Sequence, residues 1–407
     1  MPQRRAQRRA LVIGGSMSGL LAALMLRRTG WRVDVFERAE GGLAGRGAGI
    51  VAQAELIRRL GVLGLDTRDI GIPVMARKIF DRAGRLVADS VCPQVLTAWE
   101  RVYHVLRSAF PDDCYHPGRS FRAFQQNGSA VVAYFNDGGT ERADVLIGAD
   151  GLRSTVRQQF LPMIAPLYAG YVAWRALVAE SALPAQIHNQ LFEAFTFCLP
   201  PGEQFLGYPI AGPDDDLRPG HRRYNIIWYR PAEPARQLPW LLTDDSGVVH
   251  SISIPPPLIR RDAIAAMREA AERLLAPQFR AIVRLIQEPL LQPIYDLESP
   301  QLTFGRVAII GDAAFVARPH VAAGLSKAAD DAAALTAALD ANDVTGALRS
   351  FEAERLSEGR KIVERARHLG AYLQATQNDD DRARSFRHSI PEAVLAETAV
   401  LDFLHAS

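Results

Sequence analysis

The residues able to do chemistry lie mainly in three short stretches. The first is ALVIGGSMSGLLAALMLRRTGWRVDVFER at 10–38. An apolar strand there turns into a helix through Gly14, Gly15, Ser16, Met17, Ser18 and Gly19. Free N–H groups and the positive end of a helix dipole make such a turn a seat for a pyrophosphate. The first glycine makes the tight turn and the third lets helix and strand pack closely. Ser16 stands where the fingerprint has its middle glycine; its Cβ takes space, and its hydroxyl could donate to a phosphate oxygen. Glu37, eighteen residues past Gly19 and followed by Arg38, ends the next strand, where a carboxylate can accept ribose hydroxyls. An acid at that place favours an unphosphorylated ribose.

The second stretch is GRVAIIGDAAFVARPHVAAGLSKAADDA at 305–332. Gly311 and Asp312 follow an apolar strand, so the carboxylate can meet the hydroxyls of a sugar-alcohol chain, and Ala313 and Ala314 keep the turn slim. Ala323, Gly324 and Leu325 begin a helix whose N-terminus favours a ring edge that gains negative charge on reduction. Two such turns, brought together, hold one long cofactor, and FAD is the expectation. The third stretch, DVLIGADGLRSTVR at 144–157, places Asp150 at another strand-to-helix turn, where it could equally cap the helix.

Other candidates are scattered. His320, after Pro319, has the side chain whose ordinary pKa suits proton exchange near neutrality, or it is a loop histidine bonded to backbone. Tyr208 in GYPI lies on a strand as pocket wall or packing. Trp174 and Arg175 in YVAWR could form a wall and an anion clamp, or an ordinary strand pair. Arg46 and Gln53 bracket GRGAGIVAQ, whose glycines permit close approach to a flat ring.

These residues need a parallel α/β framework. Strand, helix and strand over 11–38 form a βαβ unit. Short strands with turns at Asn127-Gly128 and Asp137-Gly138-Gly139 fill 114–157, and strand-rich sequence broken by LPPGE and PDDDLRPG fills about 168–295. The expected architecture is a Rossmann-like FAD-binding domain (1–73, 96–167 and 296–370) with an inserted, mostly antiparallel substrate domain (74–95 and 168–295). A helical tail (371–407) follows.

The chain has 407 residues, 48% hydrophobic and 23% charged, enough for two packed domains. A net charge of +2 gives no reason to expect nucleic acid or a membrane surface, and no apolar run approaches a membrane span. The four arginines of MPQRRAQRRA run directly into a strand, unlike a secretory signal. Cys92, Cys114 and Cys198 are widely spaced and odd in number, which argues against a disulfide framework or a zinc site. A cytoplasmic protein without metal is the expectation.

Taken together, GGSMSG, GAGIVAQAEL, ADGLRSTVR, YAGYVAWR, and GDAA followed by RPHVAAG and KAADDA resemble the class A flavoprotein monooxygenases, the aromatic hydroxylases of the para-hydroxybenzoate hydroxylase type. The resemblance spans most of the chain. It implies hydroxylation of a small phenolic or hydroxylated N-heteroaromatic ring through a flavin C4a-hydroperoxide, with NADH or NADPH as transient reductant, O₂ as co-substrate and a possible homodimer. It places Arg101, in ERVYHVLRSAF, near the pyrophosphate, and gives ADGLRSTVR contact with flavin and nicotinamide. The family carries His and Asn where this chain has Phe315 and Ser326, which alters the wall expected near the reacting ring. An FAD-dependent oxidase or epoxidase, or a non-catalytic flavin module, are the competing readings.

Overall fold

The computed structural model describes residues 7–41, 43, 49–341 and 343–404. Among these, strands form two large sheets and a small three-stranded meander over 121–143. The first large sheet runs in the order 303–304, 307–309, 145–148, 9–13, 32–36, 115–116. Its central pairs are parallel, with Ile13 opposite both Gly148 and Phe36, and Gly148 opposite Ile309. That register puts Gly14, Glu37, the 149–150 turn and the 311–312 turn on one crest at the carboxyl ends of four adjacent strands. Neighbouring strands lie about 4.8 Å apart, so the crest is roughly 14 Å long. In open α/β sheets this is the edge where ligands bind.

Helix Met17–Arg28 is built from good helix formers and ends in Arg27 and Arg28, cations that suit a helix C-terminus. It is buried on most of its surface and packs beside the alanine-rich helix Gly324–Ala341.

The second sheet is mostly antiparallel, in the order 315–316, 290–298, 167–179, 223–231, 204–210, 194–198, 72–80, 86–98, 49–52. Strand Gly49–Ala52, read from sequence as part of the FAD-binding domain, is its edge, and strand Leu86–Ala98 carries it past residue 95. One face packs on helices Arg261–Leu274 and Pro277–Leu285. The other is covered by Tyr372, Leu373, Val394, Leu395 and Ala399. The C-terminal segment is therefore part of this core and not an appended tail. Among the described residues no helix is long and apolar enough to cross a membrane.

Candidate active site

At the first turn Gly14 has φ +108°, and a Cβ there would lie 2.3 Å from the Ala149 carbonyl oxygen. A Cβ on Gly19 would lie 1.9 Å from the Gly14 oxygen, so helix and strand approach to glycine-only distance. Ser16 occupies the N-cap of helix Met17–Arg28 without making a capping bond, which leaves its hydroxyl available. Met17 is buried beneath it, while Ser18 touches the third turn: a Cβ on Gly311 would lie 2.2 Å from the Ser18 Oγ. The Glu37 carboxylate accepts the Gly15 N–H at 2.8 Å and the Ala39 N–H at 2.9 Å. Each oxygen keeps a lone pair for a ribose hydroxyl. A cavity of about 270 Å³ opens here, lined by Gly14, Ser16, Glu37, Arg38, Arg119 and Asp150 among others.

Asp150 accepts the Ser154 hydroxyl at 2.5 Å and the Thr155 N–H at 2.7 Å, while Ser154 caps helix Thr155–Phe160 by accepting from Arg157. Burial raises the Asp150 pKa against these bonds. The capping reading and the cavity-lining reading of Asp150 hold together. Arg157, fully buried, donates to the Ala313 carbonyl at 2.9 Å and the Leu152 carbonyl at 2.7 Å, tying the middle turn to the third.

At the third turn Gly311 has φ +59°, with its N–H held by Asp331 and its carbonyl by Lys327. The Asp312 carboxylate is exposed on its open side yet ringed by protein. That enclosure raises its pKa, Lys327 opposes the rise and Asp331 adds to it; solvent on the open side tempers the shift. Gly324, also exposed, begins the next helix, and a Cβ there would meet nothing within 4 Å. Ala323 is buried and Leu325 half-buried beside it. A phosphate-sized cradle, a carboxylate for ribose, a second for the sugar-alcohol chain and an open helix N-terminus all lie along one crest. Their spacing and donor set fit FAD.

The facing wall comes from the nine-stranded sheet. Alternation along strand Leu167–Ala179 sends Tyr171, Ala173 and Arg175 to the covered face and Val172 and Trp174 to the other. Trp174 thus packs in the opposite core, against the helices, and cannot share a wall with Arg175 as the sequence suggested. Arg175 donates to the Gly49 carbonyl at 3.2 Å, and Asn225 accepts the Gly49 N–H at 2.9 Å. A Cβ on Gly49 would lie 2.5 Å from the Tyr208 ring. Tyr171, Tyr208 and Tyr229 are buried, and burial pushes each phenol pKa up. Neither the Tyr208 nor the Tyr229 hydroxyl has a hydrogen-bond partner among the described residues.

His320 is buried, 2.9 Å from the Tyr171 hydroxyl at Nε2, with its ring tilted against that of Tyr229. Burial first, and the Arg318 guanidinium second, pull its pKa down to about 3. This corrects the expectation of a group poised near neutrality. Pro319 opens the short turn that carries it. Gln53 donates to the Ala399 carbonyl at 3.1 Å, and the Ala399 N–H donates to the His320 carbonyl at 2.7 Å, so both flavin-side loops are strapped to the C-terminal segment.

Two further sequence candidates lie as follows, and a third is not described. Arg101 donates to the Asp69 and Asp215 carbonyls and is absent from the lining of the 270 Å³ cavity. Phe315 packs against Gly359, where a Cβ would lie 2.3 Å from its ring, so its side chain lies against helix Val344–Leu369. Arg46 lies outside the described residues. Sequence reasoning missed Arg119, Lys327, Asp331, Asn225 and Arg355, while Arg157 was seen only as part of ADGLRSTVR; of the missed residues only Lys327 and Asp331, spaced i,i+4 inside KAADDA, carried a helical signal.

Comparison with known proteins agrees with this geometry. A family model described as FAD binding domain matches residues 7–168, and one described as FAD binding domain-like matches 168–296. The chain is 33% identical over 391 residues to 2,6-dihydroxypyridine 3-monooxygenase of Paenarthrobacter nicotinovorans, covering 94% of this chain and 96% of that one. It is 29% identical to 3-amino-4-hydroxybenzoate 2-monooxygenase of Streptomyces cremeus, covering 89% and 86%. The solved structure of 2,6-dihydroxypyridine-3-hydroxylase from Arthrobacter nicotinovorans superposes with a TM-score of 0.85 at 32% identity, over 92% of this chain and 94% of that chain. With cofactor crest, inserted sheet and near full-length similarity in agreement, this chain belongs to the class A FAD-dependent aromatic monooxygenases.

Proposed function

We propose that this enzyme hydroxylates a small, electron-rich, hydroxylated N-heteroaromatic ring of the hydroxypyridine kind, using NADH or NADPH and O₂. The observation that carries the reading is the buried aromatic cluster of Tyr171, Tyr208, Tyr229 and His320, in which Tyr208 lies against Gly49 and His320 sits on the loop between the Gly311 turn and helix Gly324–Ala341. Similarity to a dihydroxypyridine monooxygenase over 94% of the chain supports that choice of ring.

The chemistry supplied by bound FAD is two-electron reduction by the nicotinamide followed by activation of O₂. The chain's own residues do the rest. The Gly14–Gly19 turn and the Ser16 hydroxyl seat the pyrophosphate, Glu37 and Arg38 the adenosine side, Asp150 lines the same cavity, and Asp312 holds the sugar-alcohol chain. Arg175 and Asn225 fix Gly49 at the ring side. Tyr208 and Tyr229 keep their protons at neutral pH, and each hydroxyl is free to donate to a substrate oxygen, which favours the ionised ring. The neutral His320 keeps Tyr171 oriented. The dry wall excludes water from the reacting face. Membership of a homodimer belongs to the same proposal and is checked by light scattering against the chain mass.

The test is direct. Purified protein is yellow, hydroxypyridines accelerate NAD(P)H oxidation, and one atom of labelled O₂ enters the product. Label in peroxide or water only would point to an oxidase, and a colourless protein that FAD cannot reconstitute would end the reading.

A further inference from the structure

Beneath the Asp312 turn lies a buried charged group that the functional reading does not use. Lys327, 2% exposed, donates to the Gly311 carbonyl at 2.8 Å and to Asp331 Oδ2 at 3.3 Å. Arg355, from helix Val344–Leu369, donates to Asp331 Oδ1 at 2.9 Å. The Gly311 N–H donates to Asp331 at 3.1 Å. Two cations thus share one carboxylate in a buried place, where an unbalanced charge is costly. Around this core Arg59 bridges Asp330 and Glu55, Asp330 and Glu354 also act on Arg355, and Arg157 donates to backbone carbonyls. Asp312 stands one residue past the glycine that both Lys327 and Asp331 grip, where the cation favours its ionised form and the anion opposes it. A lysine also has three donors, and the third has no partner among the described residues.

We propose that Lys327 is a positioning residue for the cofactor: with Asp331 and Arg355 it shapes the Gly311 turn and, as the cation gripping that turn, holds Asp312 ionised to accept the sugar-alcohol hydroxyls of FAD. This rests on the assignment of FAD to the crest. A role in shape alone would make every disruption equivalent. A role in charge gives opposite signs: removing the Lys327 cation favours the protonated form of Asp312, and removing the Asp331 anion favours the ionised form.

The experiment is FAD titration of apoprotein by fluorescence quenching between pH 5 and 8, with folding checked by circular dichroism. In the wild type, affinity falls as Asp312 takes up a proton at low pH. Lys327→Met is expected to weaken affinity about tenfold or more at neutral pH, the loss of a charge-assisted hydrogen bond, and to move the fall to higher pH. Lys327→Arg should restore most of the affinity. Asp331→Asn, which keeps the side-chain volume and, through its one oxygen, the contacts to the Gly311 N–H and Lys327 while giving up the Arg355 bond, should move the fall to lower pH, and it decides the question alone if Lys327→Met does not fold. Wild-type affinity and profile in a folded Lys327→Met, or a shift of the same sign in both variants, overturns the proposal. Wild-type apoprotein that takes up no FAD would instead overturn the cofactor assignment beneath it.

Discussion

At Nε2 of His320 one hydrogen bond to the Tyr171 hydroxyl stands in place of the water shell an exposed imidazole would keep. Burial and Arg318 hold the pKa at about 3, against about 6.5 for a free side chain. The folded protein keeps the ring neutral while the unfolded chain takes up a proton. Stability is therefore lost as pH falls below about 6.5, at up to about 1.4 kcal/mol per unit, until the folded pKa is reached. Urea unfolding at pH 7 and pH 5 should show the wild type losing roughly 2 kcal/mol more than His320→Gln, which cannot titrate. Equal losses would mean the ring is not held neutral. Trp174 and Phe315 carry the same lesson: residue type was readable, but each has its surroundings set by strands and helices distant in sequence.

Among the elements, the turn from strand Arg9–Ile13 into helix Met17–Arg28 was legible because its signal is local: an apolar run, glycines at fixed offsets, then helix formers. Gly19→Ala tests it. The added methyl meets backbone, not a yielding side chain, so the helix must move off the strand. We expect a loss of about 1–3 kcal/mol in apoprotein stability by thermal melt, together with weaker FAD binding by titration. An unchanged melting temperature would contradict the close approach. Strand Gly49–Ala52 was harder to place, since four residues carry no record of which sheet they join. Its partner Leu86–Ala98 and its clamps Arg175 and Asn225 lie far along the chain.

For the whole molecule, the C-terminal segment completes the wall. Arg77, fully buried, donates to the Leu395 carbonyl at 2.6 Å, and Gln53 and Gln94 both donate to the Ala399 carbonyl. A chain ending at residue 390 loses Val394, Leu395 and Ala399 from the core and leaves the Arg77 guanidinium without this acceptor. It should be destabilised by at least about 3 kcal/mol, visible as a lower melting temperature by calorimetry, with substrate-stimulated NAD(P)H oxidation lost. Wild-type stability would show that the segment is an appendage after all. The sequence by itself determined the cofactor crest, because phosphate and ribose recognition depends on glycines, helix termini and carboxylates at fixed offsets within single βαβ units. Only the tertiary structure decided which face Arg175 and Trp174 take, how Asn225 reaches Gly49, why His320 is neutral, and that Lys327, Asp331 and Arg355 gather beneath the Gly311 turn. Burial and charge balance are properties of surroundings assembled from distant segments, and local spacing does not encode them.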